Sequence, residues 1–389
     1  MKHLLFIFTL LMSVTVSPLI FAWQEVPETQ QPTHQSVPFV LYRQIADAKK
    51  QDENLFFSPS SISLLMSALS LGADHEAATE IQKSFGFANN KMMLDTMKRT
   101  LASASGNFII SNSFWYQNDW RVNPAYQQKL DNLFGTKIQG TDFAKDAQGA
   151  TKQINAWIEK STDEMIKDFF KDGQIHGLTR FVAVNALLFK GKWDSAFEKE
   201  NTREKPFYGK NESKVQMMYK TAKFSYHETN TYQSIKLPYK DSFLEMLVFL
   251  PKPSTMFESL IDDNILNAFD KDNRMVEVAI SLPKFETETD IDFIPILKNL
   301  GVNKVFSDGF EPMFNVKELG LTVVQQKAKV QVDEEGTAAV AVSGAVGGLR
   351  SLPVHVKKIE FTADHPFLYL IRDSKTGIVH FVGHFVKGK

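Results

Sequence analysis

Four stretches of this chain hold residues whose types and spacing could do chemistry. His380 and His384 in "HFVGH" share one side of a strand, because side chains four apart in an extended chain point the same way. Two histidines are a weak metal signal on their own, and the pair reads as plain strand residues. The acids Asp333, Glu334 and Glu335 could act as general acid–base groups, but a solvated charge run is the plainer reading. "GAVGG" superficially resembles a phosphate loop, yet neither Gly-Lys-Ser/Thr nor a helix follows it. A Gly-x-Ser-x-Gly elbow and a His-Glu-x-x-His motif are both missing. The fourth feature is a lone arginine, Arg350, followed by Ser351, at the end of "DEEGTAAVAVSGAVGGLRSLPV" (Asp333 to Val354). That stretch is too glycine-rich for a helix and too rich in alanine and valine for an ordinary solvated loop. The expectation is a protein that is not an enzyme and takes no cofactor or metal.

The elements around these residues read as one large α+β domain. "PFVLYRQIADAKK" places Phe39, Tyr42, Ile45 and Ala46 on one helical face. "SPSSISLLMSALSLGA" offers Ser58 as N-cap, Pro59 at the first helical position and Gly72 near the stop. "DHEAATEIQKSFG" is capped by Asp74 and closes at Gly86. "QGATKQINAWIEKST" groups Ile154, Trp157 and Ile158 on an amphipathic helix. "GNFIISNSFWYQ" and "TRFVAVNALLFKGKW" read as strands, the second apolar on both faces and therefore central. From Phe207 onward strands dominate, and no repeat, low-complexity tract or linker divides the chain.

The bulk numbers agree with a globular protein. The 389 residues are 43% hydrophobic and 23% charged, and 32 phenylalanines imply an aromatic-rich interior. A formal net charge of -1 gives no pull towards nucleic acid or an acidic membrane. Cysteine is absent, which excludes disulfides and thiolate metal sites. "MKHLLFIFTLLMSVTVSPLIFA" has a short basic start, an apolar run and a small residue at Ala22, the pattern of a secretory signal peptide. The expected boundaries are a signal peptide at 1–22, a polar lead-in at 23–37 and a single domain at 38–389. Export places the protein in extracellular fluid, or in the periplasm or envelope of a bacterium.

Four ordered motifs give the chain a family resemblance from about Phe39 to Phe385. "NLFFSPSSISLLMSALSLGA", "FVAVNALLFKGKW", "DEEGTAAVAV" and "FTADHPFLYLIRDSKTGIVHFVGHF" resemble, in order, the second helix, a central-sheet strand, the reactive-loop hinge and the C-terminal signature of the serpins. The resemblance implies three β-sheets, eight or nine helices and an exposed reactive-centre loop at about 334–354. It makes Glu334, Glu335, Gly336, Thr337, Ala338, Ala339, Val340 and Ala341 the loop hinge, and Arg350–Ser351 the reactive bond. Ser58, Ser61 and Asn185 match the family's shutter, where Gln326 stands in place of the usual histidine, and Trp193 matches the tryptophan at the breach.

The loop's own residues suit insertion into a sheet. Thr337, Ala339, Ala341, Ser343, Ala345 and Gly347 make one small face, while Val340, Val342 and Val346 lie on the other. A strand entering a packed sheet must bring neither bulk nor charge to its buried side. Gly336 would supply the pivot. The resemblance implies a secreted suicide inhibitor of trypsin-like serine proteases that holds its target as a covalent acyl-enzyme. Such a protein would be a monomer, able to polymerise by loop–sheet exchange, with no nucleic-acid or membrane partner. The alternatives are a non-inhibitory carrier or chaperone, an inhibitor of elastase-like or papain-like proteases, and a glycosaminoglycan-regulated inhibitor. The sequon at Asn211 is a glycan acceptor if the source glycosylates.

Overall fold

The computed structural model describes residues 36–48, 52–104, 108–260, 262, 264–337 and 358–388. Residues 1–35, expected to hold a signal peptide and nearly all of a polar lead-in, lie outside them, as do residues 338–357 of the expected reactive-centre loop, including Ala338, Ala339, Val340, Ala341, Arg350 and Ser351.

Helices dominate the first part of the chain. They are α1 (Val37–Ala48), α2 (Pro59–Ser70), α3 (His75–Ser84) and α4 (Asn90–Ala104), with the short strand β1 (Leu55–Phe57) after α1. Ser58 caps α2 as its spacing predicts: its side chain accepts from Ser61 N–H at 3.1 Å, with Pro59 in the first turn. Next come β2 (Phe108–Gln117), α5 (Pro124–Phe134), β3 (Ile138–Thr141), α6 (Ala147–Ser161), β4 (Phe181–Phe189) and β5 (Gly191–Lys192). A run of strands follows: β6 (Arg203–Tyr208), β7 (Glu212–Glu228), β8 (Tyr232–Pro238), β9 (Leu244–Pro251), β10 (Arg274–Pro283) and β11 (Phe285–Asp292), with α7 (Ile265–Asp272) before β10. The chain closes with α8 (Ile294–Asn299), α9 (Glu311–Phe314), β12 (Val323–Val332), β13 (Gly336–Thr337), β14 (Ile359–Thr362), β15 (Phe367–Asp373) and β16 (Val379–Phe385).

Among the described residues hydrogen bonding links the strands of the expected three-sheet α+β fold into two connected sets. The 17-residue β7 is the reason: it pairs with β6 and β10 along most of its length and with β8 at its end. Two layers thereby become one nine-stranded sheet, ordered β1-β16-β15-β9-β8-β7-β10-β14 with β6 beside β7. The seven-stranded sheet runs β3-β2-β4-β12-β13-β5, with β11 beside β12. Its central strand β4 is buried at all nine positions, because the helix α6 covers one face, while the other packs on the helical cluster at Phe181 and Ala183 and on the second sheet at Leu187 and Phe189. Strand β11 ("FETETDID") escapes a hydrophobic-pattern reading because threonines occupy half of its inward positions: Thr287 and Thr289 are buried between Phe285 and Ile291.

Candidate functional site

At the middle of the seven-stranded sheet, β4 and β12 lie side by side as parallel neighbours, from Val182 opposite Val323 to Leu188 opposite Lys329. Beyond Lys329 the two strands part, and the two-residue β13 stands in the gap. Thr337 pairs antiparallel with Val332 on one side and with Gly191 on the other. Thr337 is fully buried, and its hydroxyl lies 2.9 Å from that of Tyr239.

The segment leading into β13 is held from several directions. Trp193 N–H donates to Glu335 O, and its indole Nε1–H donates to Asp333 O, both at 2.9 Å. The indole stacks on Tyr239 with centroids 4.7 Å apart. Phe197 N–H donates to Glu334 O at 2.8 Å. The Glu334 carboxylate is almost wholly buried, between Lys284 Nζ at 2.7 Å and the Thr202 hydroxyl at 2.7 Å. Burial opposes its charge, but those two hydrogen bonds outweigh it and keep the carboxyl below its ordinary pKa. Glu335 is half-buried and binds Lys199 Nζ at 2.9 Å, which raises the lysine's pKa. The acidic run is therefore a set of anchored side chains, not the solvated charge run that composition favours. Gly336 is required by close approach: a Cβ there would fall 2.1 Å from Gly191 O.

Further down the seam, Ser58, Ser61, Asn185 and Gln326 come together, each at most 1% exposed. Gln326 Oε1 accepts from Ser58 N–H at 2.9 Å, and its Nε2 donates to Ser58 O at 3.1 Å and to Asn185 Oδ1 at 2.5 Å. Asn185 Nδ2 donates to Ser61 Oγ at 2.6 Å and also to Asn112 Oδ1 on β2. One amide thus ties both central strands to the start of α2. The Ser58 hydroxyl donates to His380 O on β16 at 2.7 Å.

Sequence reasoning missed several partners. Lys284, Thr202 and Lys199 lie far from the acids in sequence and carry no motif. Asn112 sits between Ser111 and Ser113, a polar break inside the otherwise apolar strand β2, and that break is the signal that could have found it. His380 and His384 do not act together: His384 lies between the Tyr42 hydroxyl and Glu53 O, and His380 between Ser60 and Ser103. Burial lowers the pKa of each to about 4. Asn211 is exposed in the turn between β6 and β7. Among the described residues no cluster of three metal-ligating side chains occurs, and no helix is long and apolar enough to cross a membrane.

Comparison with known proteins bears on this arrangement. The family model described as Serpin (serine protease inhibitor) matches residues 33–388. Neuroserpin of Gallus gallus is 33% identical over 365 residues, covering 88% of each chain. A serpin-like protein of Methanosarcina acetivorans is 32% identical, over 89% of this chain and 84% of its own. Among solved structures, native protease nexin-1 with heparin superposes with a TM-score of 0.81 at 26% identity, covering 91% of this chain and 98% of that one. Serpin48, a highly specific serpin of the insect Tenebrio molitor, gives 0.79 at 25% identity, over 92% and 97%.

Proposed function

This chain belongs to the serpin (serine protease inhibitor) family, and from that premise we propose that it is a secreted suicide inhibitor of trypsin-like serine proteases, with Arg350–Ser351 as its reactive bond. The observation that carries the reading is the register of β13. Thr337 opposes Val332 and Gly191, so a strand continuing antiparallel from it would run down the seam and bring residue 346 opposite Val323 and Val182. The stretch Thr337 to Val346 therefore matches β12 in length. On the same register Ala339, Ala341, Ser343 and Ala345 would follow Thr337 onto the face that Ala328, Val330 and Val332 turn to the core. The small side of the loop would be the buried one.

Insertion would replace one parallel ladder, β4 with β12, by two antiparallel ones. The net gain is about one ladder, at roughly 0.5–1.5 kcal/mol per bond, or on the order of 10 kcal/mol over ten residues before packing. In the proposed sequence the protease serine attacks the Arg350 carbonyl and Ser351 leaves as the new amino terminus. The freed strand enters the seam and carries the ester-linked protease with it before water can release the chain. Arginine selects a protease whose specificity pocket ends in a carboxylate. Asn185 and Gln326 would be the bonds that open and re-form, Trp193 the contact met first, and Glu334 to Thr337 the hinge. The domain would extend from residue 38 to 389 after removal of 1–22.

Incubation with trypsin tests this. An SDS-stable complex is expected, and Arg350→Ala should abolish it. Trypsin that cuts the loop and stays fully active would sink the inhibitory reading and favour a carrier or chaperone. A stable complex with elastase or papain, and none with trypsin, would keep inhibition but reassign the target class.

A further inference from the structure

The hydrogen-bonded set at the seam extends past the four residues named above. Ser60, next to the cap of α2, has its hydroxyl 3.2 Å from His380 Nδ1. His380 Nε2 lies 2.7 Å from the Ser103 hydroxyl on α4, and that hydroxyl donates to Asp373 Oδ2 at 2.6 Å. Asp373 Oδ1 accepts from the backbone N–H groups of Lys375 and Thr376, both at 2.8 Å. Ser60, His380 and Asp373 are buried.

These directions fix the histidine's state. Ser103 has one proton and gives it to the carboxylate, so its oxygen must accept from His380 Nε2–H. Nδ1 of the neutral ring is then an acceptor and takes the Ser60 proton. The chain runs in one direction, from Ser60 through His380 and Ser103 to Asp373.

We propose that His380, with Ser60, Ser103 and Asp373, is a proton-sensitive latch on the seam between β4 and β12, closed while the imidazole is neutral. This rests on the reading that the seam opens. Taking a proton from water puts an N–H on Nδ1, facing the Ser60 oxygen. The Ser60 hydroxyl must turn away, and the acceptors in reach are Ser58 Oγ at 3.4 Å and His380 O at 3.5 Å. The carbonyl already holds the Ser58 hydroxyl at 2.7 Å, so the new arrangement competes with Ser58, whose backbone in turn holds Gln326. Protonation on β16 is thereby passed to the amide that ties β4 to β12. Gln326 cannot titrate; His380 can, from the opposite side of Ser58.

The charged groups around the ring leave the decision to this chain. Asp373 on β15 reaches it through Ser103. Arg372, beside Asp373, is held by Glu245 at 2.8 Å and by Asp270. His384, on the same strand, is held by Tyr42 and Glu53 O. From β2 the ring meets Phe108, with centroids 4.7 Å apart. Burial in this setting disfavours the charged ring, which has a pKa of about 4, and opening that restores its ordinary value favours protonation.

Hydrogen exchange of the full-length protein, normalised to intrinsic rates between pH 7 and 4.5, tests the latch. Amides of β4 and β12 should exchange on the order of tenfold faster at pH 5 than at pH 7, relative to those of β9 and β15. His380→Gln, which can donate to Ser103 and accept from Ser60 without titrating, should flatten that rise. Asp373→Asn should move it to lower pH, and His384→Gln should leave it in place. A flat wild-type profile overturns the proposal, as does a rise that survives in His380→Gln. If His380→Gln does not fold, the Asp373→Asn profile decides, and an unshifted rise counts against the latch. The readout needs no protease: loss of trypsin trapping with the acid-dependent seam intact would remove the inhibitory reading and leave the latch standing.

Discussion

Gln326→Leu is the sharpest test of the seam. The substitution keeps the volume roughly constant and removes both ends of the amide. It takes a partner from three buried groups: Ser58 N–H, Asn185 Oδ1 and Ser58 O, the last of which keeps the Ile62 N–H at 3.2 Å. Each orphaned buried group costs about 1–3 kcal/mol. Because Ser58 and Asn185 keep other bonds and can relax, the lower half of the summed range applies, roughly 3–6 kcal/mol. That is a large share of the ~5–15 kcal/mol that stabilises a typical fold. With a urea slope of about 2–3 kcal/mol/M, the upper part of the usual range as suits a large domain, the midpoint of the first unfolding transition should fall by roughly 1–3 M. Urea titration followed by tryptophan fluorescence and circular dichroism reads this, with Gln326→His as the comparison, since imidazole can restore part of the bonding. A midpoint that moves by less than about 0.3 M in Gln326→Leu would refute the reasoning. It would mean that Ser58 and Asn185 find other partners at no cost and that the amide does not hold the seam.

Other consequences follow from the same geometry. His380 and His384 fold as neutral rings with pKa values of about 4, against about 6.5 when exposed. A depressed histidine stabilises the fold fully above pH 6.5, and that contribution is lost as pH falls towards 4, by up to about 3 kcal/mol per ring. Thermal unfolding between pH 7 and 4 should show the decline, and His380→Gln with His384→Gln together should remove most of it. Glu334→Gln should loosen the segment that leads into β13 by weakening the Lys284 and Thr202 contacts, seen as faster proteolysis just after Thr337; an unchanged rate would make the contacts incidental. Arg372→Met should cost about 3–5 kcal/mol, because it takes from the buried Glu245 carboxylate its 2.8 Å guanidinium partner and leaves it to Lys236, 3.4 Å away; a loss under 1 kcal/mol in urea unfolding would contradict this.

Local chemistry was legible in the sequence. Ser58 and Pro59 start α2 where their side chains dictate, and the nine consecutive apolar or amide positions of β4 placed it at the centre before any coordinate was known. The alternation of small residues and valines after Gly336 is visible in one dimension because strand period is a local property. Ordered motifs likewise carried the family. What one dimension lacked was partner identity. Glu334 meets Lys284 and Thr202, and His380 meets Ser60 and Ser103, only because the sheets bring distant segments within 3 Å or so. The sequence treated three acids as solvated and two histidines as plain strand residues, since burial and hydrogen-bond direction are properties of the packed whole. Tertiary structure decided those states, and it set the register that aims Thr337 into the seam.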